Sequence, residues 1–214
     1  MRDLGLGTYR FSISWPRIQA DGTGAPNQRG LDFYRRLVDG LHDRGIAPMA
    51  TLFHWDLPQS LQDIGGWESR DVAYRFADYA EAVFEALGPS VPVWLTINEP
   101  KTVVQNGYLQ GHHAPGLREP AAAYLVAHHL QLAHGLAVRA LRATGSTSRI
   151  GPALNLHPAT RPTTPPVRSR PPGSSTATRT GSTSTRSSRA PTRPTCWTTS
   201  GRTTGWSGAS GTAT

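Results

Sequence analysis

Val93-Trp94-Leu95-Thr96-Ile97-Asn98-Glu99-Pro100 joins an apolar run to an amide, a carboxyl group and a proline. The β-branched, aromatic and aliphatic residues at its start predict a buried strand. Pro100 has no N–H for a strand ladder, so we expect the strand to stop at Asn98 and Glu99. In a barrel of parallel strands, the carboxyl ends of the strands carry the chemistry. This stretch therefore marks one candidate site position and one strand of a parallel sheet.

The carboxyl group of Glu99 is the candidate reactive group. Beside an apolar wall such as Trp94 or Trp55, a carboxyl group can act as a proton donor, because desolvation disfavours its charged form. A lone glutamate at a strand end is more often a structural ion-pair partner. The neighbouring motifs decide between these two interpretations.

Strand and helix patterns alternate over residues 1–160. A helical repeat ends near Gly45, a second is capped by Ser69 and stops at Gly88, and a third covers Ala121–Ala143. This order predicts a parallel sheet with right-handed crossovers. The strand-like runs are Thr8–Trp15, Ala47–Trp55, Val93–Asn98 and Ile150–Leu156.

Long segments follow the second and third strands, at 56–68 and 99–120, and are rich in Gly, Pro, His and Trp. Such segments are typical of the active-site face of a (β/α)8 barrel. Four strands are half of such a barrel, which needs roughly 250 residues. The predicted fold is therefore α/β, an incomplete (β/α)8 TIM barrel in residues 1–160, with open sheet edges that favour aggregation.

Residues 161–214 differ sharply from the rest. They contain 15 Thr, 10 Ser and 8 Arg, and no Asp, Glu, Lys, Leu or Ile. Without these 8 Arg, the chain's 22 basic residues fall to 14, which balance its 14 acidic ones, so the whole net charge of +8 belongs to this tail. The composition predicts a disordered tail. The abrupt change suggests translation in a shifted reading frame.

Several classes of function are disfavoured. The Arg residues of the tail are dispersed and Lys is absent there, so we expect no nucleic-acid partner. No apolar run is long enough to span a membrane, and no signal peptide is evident, which makes a cytoplasmic location the default. The single Cys196 excludes an internal disulfide. The histidine spacings do not favour a metal site, and we expect no cofactor.

Chemically diverse side chains follow the predicted strands. Arg10 lies in the first, His54 and Trp55 end the second, Asn98 and Glu99 end the third, and the fourth carries Asn155. Because strand ends share one mouth in a barrel, these groups can converge. Amides and a guanidinium suit sugar hydroxyls, and an indole face suits the apolar face of a pyranose.

Residues 4–160 resemble the glycoside hydrolase family 1 β-glucosidases. The resemblance rests on several long segments in the right order: LGLGTYRFSISWPRI (4–18), LFHWDLPQSLQDIGGW (52–67), WLTINEP (94–100), HAPG (113–116) and AHHLQLAHGLAV (127–138). It implies a retaining glycosidase that takes a β-glucoside or oligosaccharide substrate.

The resemblance also implies a role for each candidate residue. Glu99 would be the general acid/base, and Asn98 would bond the sugar 2-hydroxyl. His54 and Trp55 would line the glycone subsite. Arg10 would lie near the nucleophile and keep it ionised, and Asn155 would lie close to Glu99.

The chain departs from the family in two ways. The family's nucleophile lies in a later Glu-Asn-Gly segment, and here no Asp or Glu follows Glu119. The chain also begins at the second barrel strand, so we expect strands two to five only, and no activity from this polypeptide alone. Two alternatives stay open: a 6-phospho-β-glycosidase of the same family, and a non-catalytic carbohydrate-binding remnant.

Overall fold

The computed structural model describes residues 1–156. The predictions of a disordered, frame-shifted tail over 161–214, and of a boundary at residue 160, fall outside the described residues.

Four parallel strands form one sheet in chain order: β1 (Thr8–Ser12), β2 (Ala47–Phe53), β3 (Val93–Asn98) and β4 (Arg149–Ala153). Each strand pairs with the next one along the chain, and a helical segment lies in every connection. Strand order that advances in one direction is the arrangement of a (β/α) barrel, since a doubly wound sheet reverses direction. The predicted partial barrel is confirmed.

The connections carry six α-helical segments and one π-helical segment, Val103–Leu109. Short 3-10 turns occur at Arg2–Leu4, Gly66–Glu68 and Gly88–Ser90. The α-helices are α1 (Trp15–Ile18), α2 (Gln28–His42), α3 (Gln59–Asp63), α4 (Arg70–Leu87), α5 (Pro100–Thr102) and α6 (Pro120–Ala143).

The long helices cover one face of the sheet. Phe11 of β1 stacks on Tyr34 of α2, and Trp94 of β3 packs edge-on against Phe84 of α4. The register places Phe11 and Trp94 on the same face, through Ala50 of β2. The helices also pack on one another, α2 against α4 and α4 against α6. Right-handed crossovers between successive strands produce this one-sided layer.

The opposite face is less covered at the row of Arg10. Its register row of Arg10, Met49 and Val93 contains no fully buried side chain, whereas the row of Ala50 and Trp94 is completely buried. We call this the open face of the sheet. The polar groups at the carboxyl ends of its strands belong to the candidate site.

Three strands end earlier than the sequence predicted. The first ends at Ser12 because Ser14 and Pro16 begin α1 at Trp15. The second ends at Phe53, and Trp55 has φ 79°, which no strand residue adopts. The fourth ends at Ala153, so Asn155 lies beyond the strand. The third, Val93–Asn98, is confirmed.

An aromatic cluster joins the start of α1 to α4. Trp15 stacks on Tyr79 at a centroid distance of 5.0 Å and lies 5.6 Å from Phe76. Trp67 adjoins the same cluster and is buried. Because Tyr79 also donates a hydrogen bond to the Leu52 carbonyl (3.0 Å), this cluster fixes α4 to β2.

Two histidines of α6 make hydrogen bonds to neighbouring elements. His129 is buried and its Nδ1 is hydrogen-bonded to the Trp67 carbonyl (2.9 Å). His134 is hydrogen-bonded through Nδ1 to the Thr96 hydroxyl (2.9 Å). Within residues 1–156, no three His, Cys, Asp or Glu side chains are grouped as metal ligands. None of the helices there has the length and apolar character needed to cross a bilayer.

Replacement of Trp15 tests the aromatic cluster. We expect Trp15→Ala to lower the free energy of unfolding by about 3–5 kcal/mol, because the fully buried indole leaves a cavity. Urea unfolding monitored by circular dichroism measures the change. The matched control is Tyr124→Ala on α6, whose side chain is 81% exposed and should contribute little; equal losses for the two variants would contradict the account.

His134 should make the fold acid-sensitive. Burial lowers the pKa of His134 below its ordinary value of 6.5. Below pH 6.5 the unfolded chain therefore takes up a proton that the folded chain resists, and the free energy of unfolding falls as the pH drops. Urea titrations at pH 7.5 and 5.5 should show a smaller decrease for His134→Asn than for the parent chain. The exposed His112→Asn should behave like the parent.

Candidate active site

Glu99 sits at a sharp backbone turn between β3 and α5. Its φ and ψ are 44° and 64°, in the left-handed region that side-chain-bearing residues seldom occupy. Its N–H donates to the Ala153 carbonyl at the end of β4 (2.7 Å), and Pro100 starts α5 directly after it. The turn therefore ends the strand and leaves the half-buried Glu99 side chain at the sheet's carboxyl edge.

Arg10 and Asn98 meet across the open face of the sheet. The Arg10 guanidinium donates through Nη2 to Asn98 Oδ1 and through Nε to the Thr51 hydroxyl (3.0 Å). Strict alternation would turn Asn98 towards the helices, with Trp94 and Thr96. The β3–β4 pairing is irregular between Leu95 and Asn98, which lets Asn98 face Arg10 instead.

Trp94 is not part of this site. Its side chain is fully buried against Phe84 of α4, on the helix-covered face. The prediction that Trp94 forms an apolar wall beside Glu99 is wrong, because strand alternation directs the indole away from the open face. Trp55 is the tryptophan next to the site.

Trp55 is tied to the same strand end. Its indole Nε1 donates to the Asn98 carbonyl (2.8 Å), and its ring lies 5.2 Å from the ring of His113. The preceding residue, His54, is hydrogen-bonded through Nδ1 to the Ser12 hydroxyl (2.8 Å). The positive φ of Trp55 directs the two consecutive aromatic side chains to different partners.

The His113 loop is held close by a glycine. A Cβ at Gly107 would lie 2.8 Å from the Ala114 carbonyl oxygen, so a larger residue there would push the loop away. The Leu117 N–H also donates to the Gly107 carbonyl (2.9 Å). This close approach positions His113 against Trp55.

The surroundings of His54 and Asp56 shift the pKa values of these two groups in opposite directions. Burial and the nearby Arg10 guanidinium lower the pKa of His54, opposed by the carboxylates of Asp56 and Glu99. His54 is therefore mostly neutral near pH 7. Burial raises the pKa of Asp56, and one oxygen of that carboxyl group has no partner among the described residues. Asp56 thus favours its uncharged form more than an ordinary aspartate.

Asn155 reaches the site through Thr102. Asn155 Nδ2 donates to the Thr102 hydroxyl (2.9 Å), and that hydroxyl donates to Glu99 Oε2 (2.9 Å). No sequence motif pointed to Thr102, although its position three residues after Glu99, in the first turn of α5, brings such side chains together. Thr51 and Ser12 were missed because strand register is not visible in a local pattern.

A cavity of about 580 Å³ adjoins Trp55. It lies between the segment after β2 and the segment after β3, and aromatic side chains form much of its wall. Gln59 and Gln62 add two amides at its border. Its other lining residues are Phe53, Trp55, Leu57, Trp67, Val103, Tyr108, His113, Ala114 and Pro115.

Comparison with known proteins assigns the family. The model of "Glycosyl hydrolase family 1" matches residues 1–173, well over half of the chain. The chain belongs to glycosyl hydrolase family 1. The resemblance carried by the strand-end motifs is thereby confirmed.

Two proteins named β-glucosidase are similar over most of the chain. Beta-glucosidase A of Acetivibrio thermocellus is 51% identical over 156 residues, which are 73% of this chain and 35% of that protein. Beta-glucosidase A of Thermotoga maritima is 49% identical over 152 residues, 71% of this chain and 34% of that protein. The chain thus spans about a third of the length of these curated relatives.

A solved structure agrees with the fold. The family 1 β-glucosidase from Thermotoga maritima superposes with a TM-score of 0.71 at 48% identity, covering 72% of this chain and 35% of that one. Another structure of the Thermotoga maritima β-glucosidase contains deoxynojirimycin and superposes with a TM-score of 0.70.

The left-handed backbone at Glu99 gives a stability test. A non-glycine residue there costs about 1–2 kcal/mol, so Glu99→Gly should be more stable than Glu99→Ala by about 1 kcal/mol, although both remove the carboxylate. At Glu81, in the middle of α4 and exposed, the same pair should rank in the opposite order. Urea unfolding of the four variants measures this; the same ranking at both positions would refute a strained turn at Glu99.

Proposed function

We propose that this chain carries the acid/base half of a retaining β-glucosidase site, acting on terminal β-D-glucosyl or related β-glycosyl O-glycosidic bonds. The observation that carries the proposal is the hydrogen-bonded convergence of Arg10, Asn98 and Trp55 beside Glu99 at one strand end. The similarity to proteins named β-glucosidase supports the reaction class.

Glu99 is the proposed general acid/base. Its carboxyl group would protonate the glycosidic oxygen as the bond to C1 breaks, and would later take a proton from the attacking water. Half-buried at the carboxyl edge of the sheet, it is accessible to substrate, and one oxygen is already held by Thr102. The strained backbone that holds it is typical of functional positions.

The surrounding groups suit a sugar. Asn98 is fixed at Oδ1 by Arg10, which leaves its side-chain N–H groups to donate to the 2-hydroxyl. His54, mostly neutral near pH 7, and Trp55 would line the glycone subsite. Arg10 still has guanidinium N–H groups beyond the two that bond Asn98 and Thr51, and these would favour a charged carboxylate next to it.

A retaining site needs a second carboxylate about 5 Å from the first. No Asp or Glu follows Glu119 in the sequence. Asp56 is the other carboxyl group close to His54, but in the family that the chain resembles the nucleophile lies in a later Glu-Asn-Gly segment. The proposed nucleophile is therefore supplied by a segment that this chain does not contain.

A chimera tests the proposed function. Residues 1–156 would replace the matching segment of the Thermotoga maritima β-glucosidase A, which supplies the remaining barrel. We expect this chimera to hydrolyse an aryl β-glucoside, and Glu99→Gln to lower kcat/KM for an alkyl β-glucoside by at least about 100-fold. Glu119→Gln, just before α6, is the matched control and should leave the rate unchanged. A chimera whose activity survives Glu99→Gln would refute the assignment.

The 214-residue chain alone should behave differently. Because the second carboxylate is missing, we expect no turnover of an aryl β-glucoside above that of the Glu99→Gln variant. Rapid hydrolysis by the purified chain, lost in Glu99→Gln, would contradict the proposal that the nucleophile lies elsewhere.

A further inference from the structure

Thr102 links two strand ends through one hydroxyl group. Its Oγ1 donates to Glu99 Oε2 and accepts from Asn155 Nδ2, both at 2.9 Å. Asn155 follows β4, and Glu99 follows β3, so the hydroxyl bridges the ends of neighbouring strands. Both Glu99 and Thr102 are half-buried, where a hydrogen bond counts for more than in open water.

The direction of these hydrogen bonds is fixed by their donors. An amide NH2 can only donate, so Asn155 occupies a lone pair of the Thr102 oxygen. The single hydroxyl hydrogen is then free to point at Glu99 Oε2. Asn155 thus sets the orientation of the hydroxyl, and the hydroxyl sets the orientation of the carboxyl group.

The backbone reinforces this arrangement. The Thr102 N–H donates to the Glu99 carbonyl (2.8 Å), and the Glu99 N–H donates to the Ala153 carbonyl, two residues before Asn155. Backbone and side-chain hydrogen bonds therefore join the same three segments. Because the backbone and one carboxyl oxygen of Glu99 are both held, the side chain loses little freedom when substrate arrives.

We propose that Thr102 is a positioning residue for Glu99, with Asn155 as its support, an inference that rests on the proposed function. By holding Oε2, Thr102 leaves Oε1 as the oxygen that carries the transferable proton. In the first step that proton moves from Oε1 to the glycosidic oxygen as the C1–O bond breaks. The electron pair of that bond leaves with the protonated aglycone, and the second carboxylate bonds to C1.

The dependence of kcat/KM on the leaving group distinguishes a loss of acid positioning from a general loss of activity. A 2,4-dinitrophenyl group departs as a stable anion and needs no proton, whereas an alkoxide leaving group does. Loss of a hydrogen bond to a charged group changes a rate by roughly 10- to 100-fold. In the chimera, Thr102→Val should therefore lower kcat/KM for an alkyl β-glucoside by that factor, and for the dinitrophenyl glucoside by less than about twofold.

Conservative and distant variants complete the test. Thr102→Ser keeps the hydroxyl and should restore most of the rate, and Asn155→Leu should resemble Thr102→Val in direction. Thr144→Val is the control, since its exposed hydroxyl bonds only the Leu141 carbonyl at the end of α6. Equal losses on both substrates, or none for Thr102→Val, would overturn the inference. Activity that does not depend on Glu99 would instead refute the proposed function.

A spectroscopic measurement on the 214-residue chain needs no activity. The sequence contains four Asn residues, so 15N-asparagine labelling gives four side-chain amide pairs. We expect the Asn155 pair to shift and to exchange its hydrogens faster in Thr102→Val, but to change little in Thr102→Ser or Thr144→Val. An Asn155 signal that is unaffected by Thr102→Val would overturn the hydrogen-bond geometry even if the chimera were inactive.

Discussion

The backbone turn at Glu99 is the constraint on which the site depends. A left-handed residue there ends β3, starts α5 and exposes a carboxyl group at the sheet's edge. The hydrogen bond from its N–H to the Ala153 carbonyl ties the turn to β4. Without this turn, Asn98 would continue the strand, and neither Arg10 nor Thr102 would have its partner. The strain is local, and the packed helices behind the sheet offset it.

The two faces of the sheet have different roles. Stability comes from the helix-covered face, where Phe11, Trp94 and the Trp15 cluster bury large aromatic side chains. Polar chemistry is confined to the open face, where Arg10 spans from β1 to β3. Since side chains alternate along the strands up to the irregular end of β3, the packed core fixes the strands that carry the polar groups.

Much of the fold follows from local sequence patterns. Val93–Asn98 was predicted correctly because its β-branched run meets Pro100, a residue that cannot continue a ladder. The ends of β1 and β2 were placed too late, since aromatic content extends past the true strand ends at Trp15 and Trp55. Tertiary packing of Trp15 and the unusual φ of Trp55 override strand propensity at these two positions.

The site was harder to predict than the fold. Glu99, Asn98, Arg10, His54 and Trp55 were identified from motifs, and the structure brings them to one edge. Thr102 and Thr51 depend on register and on a helix start, which no periodic pattern reveals. Strict alternation would put Trp94 and Asn98 on one face. The irregular end of β3 turns Asn98 to the open face and leaves Trp94 on the helix-covered face.

Chemical rescue would test the central assignment most directly. In the Glu99→Ala chimera with 2,4-dinitrophenyl β-glucoside, azide can attack the glycosyl-enzyme without help from a base. If Glu99 is the acid/base, azide should accelerate turnover and the product should be β-glucosyl azide, because the attack comes from the face that water normally uses. No acceleration by azide, or formation of α-glucosyl azide, would contradict this assignment, and the α product would identify Glu99 as the nucleophile instead.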